Sequence, residues 1–237
     1  MRSGGWLDPD LCNIFLEISA DDGFWEIVQS RELADALFAM EPALQTLYVD
    51  TDYLDDITRA FGQVIDAKSP FTGGHSARVG RYVDLVARQM GIDENSRRDL
   101  YRAAVLHDVG KLAVSSAILE KPGPLSEAEW VIMRSHSTHS FQILSRIKPM
   151  ETVAVTAAAH HERLDGKGYP LGIDDSEIPL GARIITICDI YDALTADRPY
   201  RAAMSQEKAM AILHSDCNTA VDPHCLAALE VVLSARQ

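Results

Sequence analysis

The chain has 237 residues, 47% of them hydrophobic, enough to build a sizeable core in one large domain or in a domain with an appended piece. Its formal net charge of −13 argues against non-specific binding to long nucleic acid, which depends on basic surfaces that release counterions from phosphate. There is no run of about 18 apolar residues and no secretory leader in the opening MRSGGWLDPD, so the expectation is a cytoplasmic protein without a membrane segment.

In chain order, the first element is LDPDLCNIFLEI from Leu7, where Asp-Pro opens an amphipathic helix. It echoes VDPHCLAALEVVL from Val221 near the other end. The echo reads either as the tail of a second copy of one module or as a coincidence of a common helix start. A boundary is placed near residue 50, where VDTDYLDD interrupts the periodicity, giving an N-terminal helical segment 1–50 and a main domain 51–237. The main domain repeats apolar residues at three- and four-residue spacing through DITRAFGQVIDAK, HSARVGRYVDLVARQMG, RRDLYRAAVLHDVGK, SEAEWVIMRSHSTHSFQILSRI, METVAVTAAAHH, ARIITICDIYDALTA, SQEKAMAIL and PHCLAALEVVL. Ser126 and Ser205 are predicted N-caps, while Gly91, the KPGPL turn at 121–125 and Pro149 mark breaks. Strand alternation is scarce, so the predicted fold class is all-α, with one long loop from about 162 to 180.

Several residues take ordinary readings. Cys12, Cys188, Cys217 and Cys225 form no CxxC pair and are expected as reduced, mostly packed thiols in helical segments. Trp6, Trp25 and Trp130 fall on helical patterns and are read as packing residues, and His139, His214 and His224 as surface or ordinary core histidines. The acidic GIDDSEI at 172–178 is read as a solvated loop. An amphipathic N-terminal helix pair is compatible with a homodimer, although no periodicity is long enough for a coiled coil.

The chemistry concentrates in a few polar positions on apolar helices. His107 and Asp108 stand together at the end of AVLHDVGK, and Asp189 interrupts IITICDIYDAL; burying such groups is costly unless something satisfies them. For Asp189 a hydrogen-bonded core carboxylate is the plain alternative. His136 carries little weight by itself. With His75, His160 and His161, however, these imidazoles and carboxylates suit a pair of first-row transition metals, with a carboxylate able to bridge. Cysteine is absent from every one of these motifs, which disfavours a thiolate zinc site and favours a catalytic site with positions open to water. Two ions about 3.5–4 Å apart would activate a water and clamp a phosphate ester, so phosphoester hydrolysis is the suggested chemistry.

Five ordered motifs carry a resemblance: TGGHSARV at 72–79, HDVGK at 107–111, His136 followed by SxxS, HHERLDGKGYP at 160–170 and DIYDALTADRPYR at 189–201. On these the sequence resembles the HD-GYP phosphodiesterases, a branch of the HD phosphohydrolase superfamily, over roughly residues 55–235. The resemblance implies an HD-domain helical bundle with an additional short N-terminal helical region that looks like the end of a preceding HD-like module. It implies that His75, His107, Asp108, His136, His160, His161 and Asp189 bind two divalent metal ions, iron or manganese, with Asp108 bridging. It assigns Lys111 a place near the scissile phosphate, Arg198 and Arg201 places near the substrate's phosphates, and Tyr169 a place in a substrate-shaping loop. The implied substrate is cyclic di-GMP, cut to linear pGpG and sometimes to GMP by attack of a metal-bridging hydroxide, with Asp108 and Lys111 as the catalytic residues. Some relatives hold a third metal with a glutamate four residues before the first histidine; Phe71 occupies that position here, so two metals are expected. Two alternatives stay open: a phosphodiesterase for another cyclic dinucleotide such as cyclic GMP-AMP, and a cyclic-dinucleotide sensor with little or no turnover.

Overall fold

The computed structural model describes residues 8–40, 49–68, 73–197 and 202–235. Arg198, Arg201, Phe71 and Trp6 fall outside the described residues. The chain divides into two compact units, Met1–Val49 and Asp50–Gln237.

The first unit contains α1 (Pro9–Ile18), α2 (Asp22–Gln29) and α3 (Leu33–Met40). Asp8 caps α1 by accepting from the backbone N–H groups of Asp10 and Leu11, and Asp21 caps α2 through Gly23. These caps satisfy donors that a helix start otherwise leaves unpaired. Neither α1 nor α2 has a buried residue, and Trp25 is 41% exposed, packing edge-on against Phe24 with ring centroids 5.0 Å apart.

The second unit runs α4 (Thr51–Lys68), α5 (His75–Gln89), α6 (Glu94–Leu106), a 3-10 turn (Val109–Ala113), α7 (Ser116–Leu119), α8 (Glu127–Leu144), a short 3-10 turn (Lys148–Met150), α9 (Glu151–Ala158), α10 (Leu180–Thr195), α11 (Gln206–Ser215) and α12 (Pro223–Ser234). The described residues contain no strand, only an isolated bridge between Cys217 and Val221. The fold is thus the predicted all-α bundle. Ser126 closes a full capping box with Glu129, and Ser205 caps α11, both as the sequence predicts.

The core is built from the apolar stripes of five helices. Val79, Val83 and Val86 of α5 meet Ala103 and Ala104 of α6, Ala154 and Ala157 of α9, Ile184 and Ile185 of α10 and Leu229 of α12. Each fully buried Val, Ile or Leu contributes roughly 1.5–3 kcal/mol relative to an exposed one. A buried Arg102 on α6 fixes α4 beside it, donating to Asp55 Oδ1 at 2.7 Å and to the Thr51 carbonyl at 2.9 Å. Cys188 and Cys225 are buried free thiols and Cys12 and Cys217 half-buried ones. Cys217 departs from the expected helix: it lies past α11, where the chain turns back to start α12.

Candidate metal centre

Three helix ends and two mid-helix positions bring the predicted ligands together. His75 is the first residue of α5, His107 follows the last residue of α6, His136 sits within α8, His160 and His161 follow α9, and Asp189 sits within α10. Asp108 begins the turn after α6. That turn approaches α8 very closely: a Cβ on Gly110 would lie 1.9 Å from the His136 carbonyl oxygen, so no side chain fits there. The contact is fastened by Ser140, whose Oγ accepts from Gly110 N at 2.9 Å and donates to the His107 carbonyl at 2.8 Å. Glycine at 110 therefore sets Asp108 opposite His136.

The resulting donor atoms form three overlapping triads. Those of His136, His160 and His161 lie within 4.8 Å of one another, as do those of His75, His107 and Asp189, and those of His107, Asp108 and His160. Asp108 faces both sides, with Oδ2 3.4 Å from His107 Nε2 and Oδ1 3.5 Å from His136 Nε2. His136, weak evidence as an isolated histidine in the sequence, is buried at the centre of this arrangement.

Hydrogen bonds decide which nitrogen each ring offers. Nδ1 of His107, His136 and His160 lies 2.7, 2.7 and 2.6 Å from the carbonyl oxygens of Ala104, Met133 and Ala157. A carbonyl can only accept, so each Nδ1 carries the proton and each Nε2 presents a lone pair to the cluster. His75 has the same outcome from a different partner: its Nδ1 is 2.8 Å from Asp192 Oδ2, while Nε2 points at Asp189, 3.2 Å away. Arg78 in turn grips Asp192 through Nε at 2.7 Å and a second nitrogen at 3.0 Å.

The electrostatics favour a cation in this space. Burial opposes charge on His75, but Asp189 and Asp192 outweigh it and raise its pKa to about 10. Burial also opposes charge on Asp108, yet Lys111 and His107 hold its carboxyl well below the ordinary range; Lys111 Nζ donates to Asp108 Oδ2. His161, desolvated and beside His136, is pushed down to about 3. A position where carboxylates draw a proton onto a buried imidazole is one that attracts positive charge in general. His107 Nε2, Asp108 Oδ1 and His160 Nε2 are buried and have no hydrogen-bond partner among the described residues. Leaving such groups unsatisfied costs about 1–3 kcal/mol each, and more for a charged one. A divalent transition metal would satisfy all three, so nitrogen and oxygen donors of the right type fit the implied metals.

The cluster opens to solvent past Asp189 and Lys111, whose side chains are 19% and 27% exposed. Tyr169 borders this mouth, its ring 4.6 Å from that of His161 and 6.3 Å from that of His136. The loop carrying it runs from residue 159 to 179 without a helix. Two groups hold that loop, and the sequence reading passed over the first of them. Glu162, a buried carboxylate, accepts from Leu171 N at 2.7 Å and Gly172 N at 3.0 Å. Gly168 passes so close to the chain that a Cβ would stand 2.4 Å from Arg163 N. Asp192 and Arg78 were also missed; the available signal was Asp192 three residues after Asp189, on the same face of an otherwise apolar helix.

Comparison with known proteins points the same way. A family model described as "HD domain" matches residues 59–225. The chain is 48% identical to the 3′3′-cGAMP-specific phosphodiesterase 3 of Vibrio cholerae over 98% of its own length and 51% of that protein. It is 40% identical to the cyclic di-GMP phosphodiesterase response regulator RpfG of Xanthomonas campestris over 66% of its length and 43% of that protein. A crystal structure of the V. cholerae cyclic GMP-AMP specific phosphodiesterase V-cGAP3 superposes with a TM-score of 0.62 and 45% identity, covering 98% of this chain and 53% of that one. The chain thus spans about half the length of these relatives. No helix among the described residues is long and apolar enough to cross a membrane.

Proposed function

The chain belongs to the HD-domain family, and from that premise we propose that it is a metal-dependent phosphodiesterase that opens a cyclic dinucleotide by hydrolysis. The observation that carries the reading is the set of buried donors aimed into one space, three of whose atoms have no hydrogen-bond partner among the described residues. His75, His107, Asp108, His136, His160, His161 and Asp189 would hold two ions, iron or manganese, which when bound supply Lewis-acid charge neutralisation and an activated water.

The chain's own residues then divide the work. The Nδ1 anchors keep four imidazoles correctly turned, with Nε2 facing the cluster, so that the site is organised before substrate arrives. Asp108 stays ionised and faces both halves of the cluster. Lys111 stands beside it at the mouth and offers positive charge to a phosphoryl oxygen. Tyr169, braced through the loop by Glu162, limits the cleft on the His161 side. Arg198 and Arg201 keep the phosphate-binding role that the family resemblance gives them. Hydrolysis forms a bond from water oxygen to phosphorus and breaks the phosphorus bond to the 3′ oxygen, leaving a linear dinucleotide with a 5′-phosphate and a free 3′-hydroxyl.

Identity over nearly the whole chain to a 3′3′-cGAMP-specific relative makes that hybrid the first substrate to test, with cyclic di-GMP second. The experiment is anaerobic incubation of purified protein with each dinucleotide, with and without manganese or ferrous iron, following products by chromatography. Metal-dependent appearance of linear dinucleotide is the expected result. Intact substrate under every condition, with binding retained, would replace the enzyme reading with the sensor.

A further inference from the structure

One wall of the cluster continues outward. Beyond Tyr169, the guanidinium carbon of Arg134 lies 5.5 Å from the Tyr169 ring centroid and 5.7 Å from that of Trp130, one helical turn earlier on α8. The sequence reading of Trp130 as a packing residue is corrected here: its side chain is 45% exposed. His161, Tyr169, Arg134 and Trp130 thus form a row running from the donor cluster to open solvent.

Arg134 differs from the other arginines near the site. Arg78 is spent on Asp192, Arg163 on Asp165 and Arg183 on Asp222. Arg134 has no carboxylate partner among the described residues, in a chain with 35 Asp and Glu against 22 Lys and Arg. Cation–π contact with aromatic rings takes none of the guanidinium's N–H donors, which stay available to an acceptor. A planar cation fixed in this way, with unpaired donors at its edge, matches a phosphate.

Resting on the phosphodiesterase reading, we infer that Arg134, within cation–π reach of both Trp130 and Tyr169, is a specificity-determining residue that binds the phosphate not being cleaved. A cyclic dinucleotide carries two phosphodiesters on one ring. When one lies at the donor cluster, the other needs a cation further along the wall, and Arg134 follows there, 5.5 Å from the Tyr169 ring that itself lies 4.6 Å from His161. A simple diester has no second phosphate and does not use it.

The test compares wild type, Arg134→Ala, Arg134→Lys and Trp130→Leu on the cyclic dinucleotides and on bis(p-nitrophenyl) phosphate, with metal content and dinucleotide binding measured for each. Arg134→Ala raises KM and Kd for the cyclic dinucleotide by about ten- to a hundredfold, the loss of a charge-assisted hydrogen bond. Its kcat, its metal content and its rate on the aryl diester stay near wild type. Arg134→Lys restores only part of the affinity because it lacks the planar fork, and Trp130→Leu gives a smaller rise by freeing the guanidinium. Unchanged dinucleotide affinity in Arg134→Ala, or equal losses on both substrates, would overturn the inference. Wild type that neither binds nor cleaves cyclic di-GMP or 3′3′-cGAMP would remove the underlying reading instead, a result visible before any variant is examined.

Discussion

Three of the buried histidines are oriented by their own stretch of helix, and the fourth is oriented from across the fold. His107, His136 and His160 each hand Nδ1–H to a carbonyl three residues earlier, a contact available because helical side chains lean toward the N-terminus. His75 opens α5 and has no preceding turn of that helix to lean on, so it depends on Asp192 of α10, itself held by Arg78. The local anchors form whenever the helix forms. The distant one forms only when α5 and α10 are packed, which makes His75 the ligand most exposed to disturbance elsewhere.

Four perturbations sharpen that contrast, from large effect to small. Replacing His107 and Asp108 together by Ala removes a histidine shared by two triads and the carboxylate that faces both halves of the cluster; metal content and turnover fall to background while the far-ultraviolet circular dichroism stays helical. Full activity in this double variant would end the metal-site reading. Asp192→Asn should weaken metal affinity by about 10- to 100-fold, as loss of outer hydrogen-bonding partners does elsewhere. No side-chain replacement can do this to the other three rings, whose acceptors are backbone; metal affinity equal to wild type would show that the distant anchor is dispensable. Glu162→Gln leaves metal content alone and raises KM by about tenfold, because the loop behind Tyr169 loses a charged acceptor for two backbone N–H groups. Loss of metal in that variant would mean the loop supports His161 rather than the substrate.

The smallest change is Asp222→Ala. Asp222 caps α12 through His224 N and Cys225 N and accepts from Arg183 at 2.9 Å. Removing it costs about 1–2 kcal/mol, a few degrees in Tm, with turnover unchanged. Burial works to raise this carboxyl, but Arg183 and the two N–H groups outweigh it and depress it below the ordinary value. A depressed carboxyl gives stability that is present above about pH 4 and lost as pH falls through its lowered pKa, so wild type and variant should converge in stability in acid. A Tm difference that persists undiminished in acid would show that the capping charge contributes nothing.

Much of this was legible in the sequence for definite reasons. Helices announced themselves by apolar spacing and by Ser126 and Ser205 caps, both of which are local. The consecutive His107 and Asp108 stood out because two polar groups closing an apolar helix need a partner. The Asp-Pro starts at Asp8 and Asp222 give the same cap, yet α1 buries nothing while α12 buries Leu226, Leu229 and Leu233. A cap is written in neighbouring residues; burial depends on what arrives from elsewhere. Asp192 and Arg78 were missed for that reason, their link joining residues 114 apart in the chain. Trp130 misled because helical spacing does not tell a face that meets the core from one that meets solvent.

The most direct test of the metal centre is elemental analysis of the full chain after anaerobic reconstitution with manganese or ferrous iron and removal of free metal. Two ions per chain in wild type, and none in the His107→Ala, Asp108→Ala double variant, is the predicted result. A folded wild-type chain that retains no metal under any of these conditions would contradict the account.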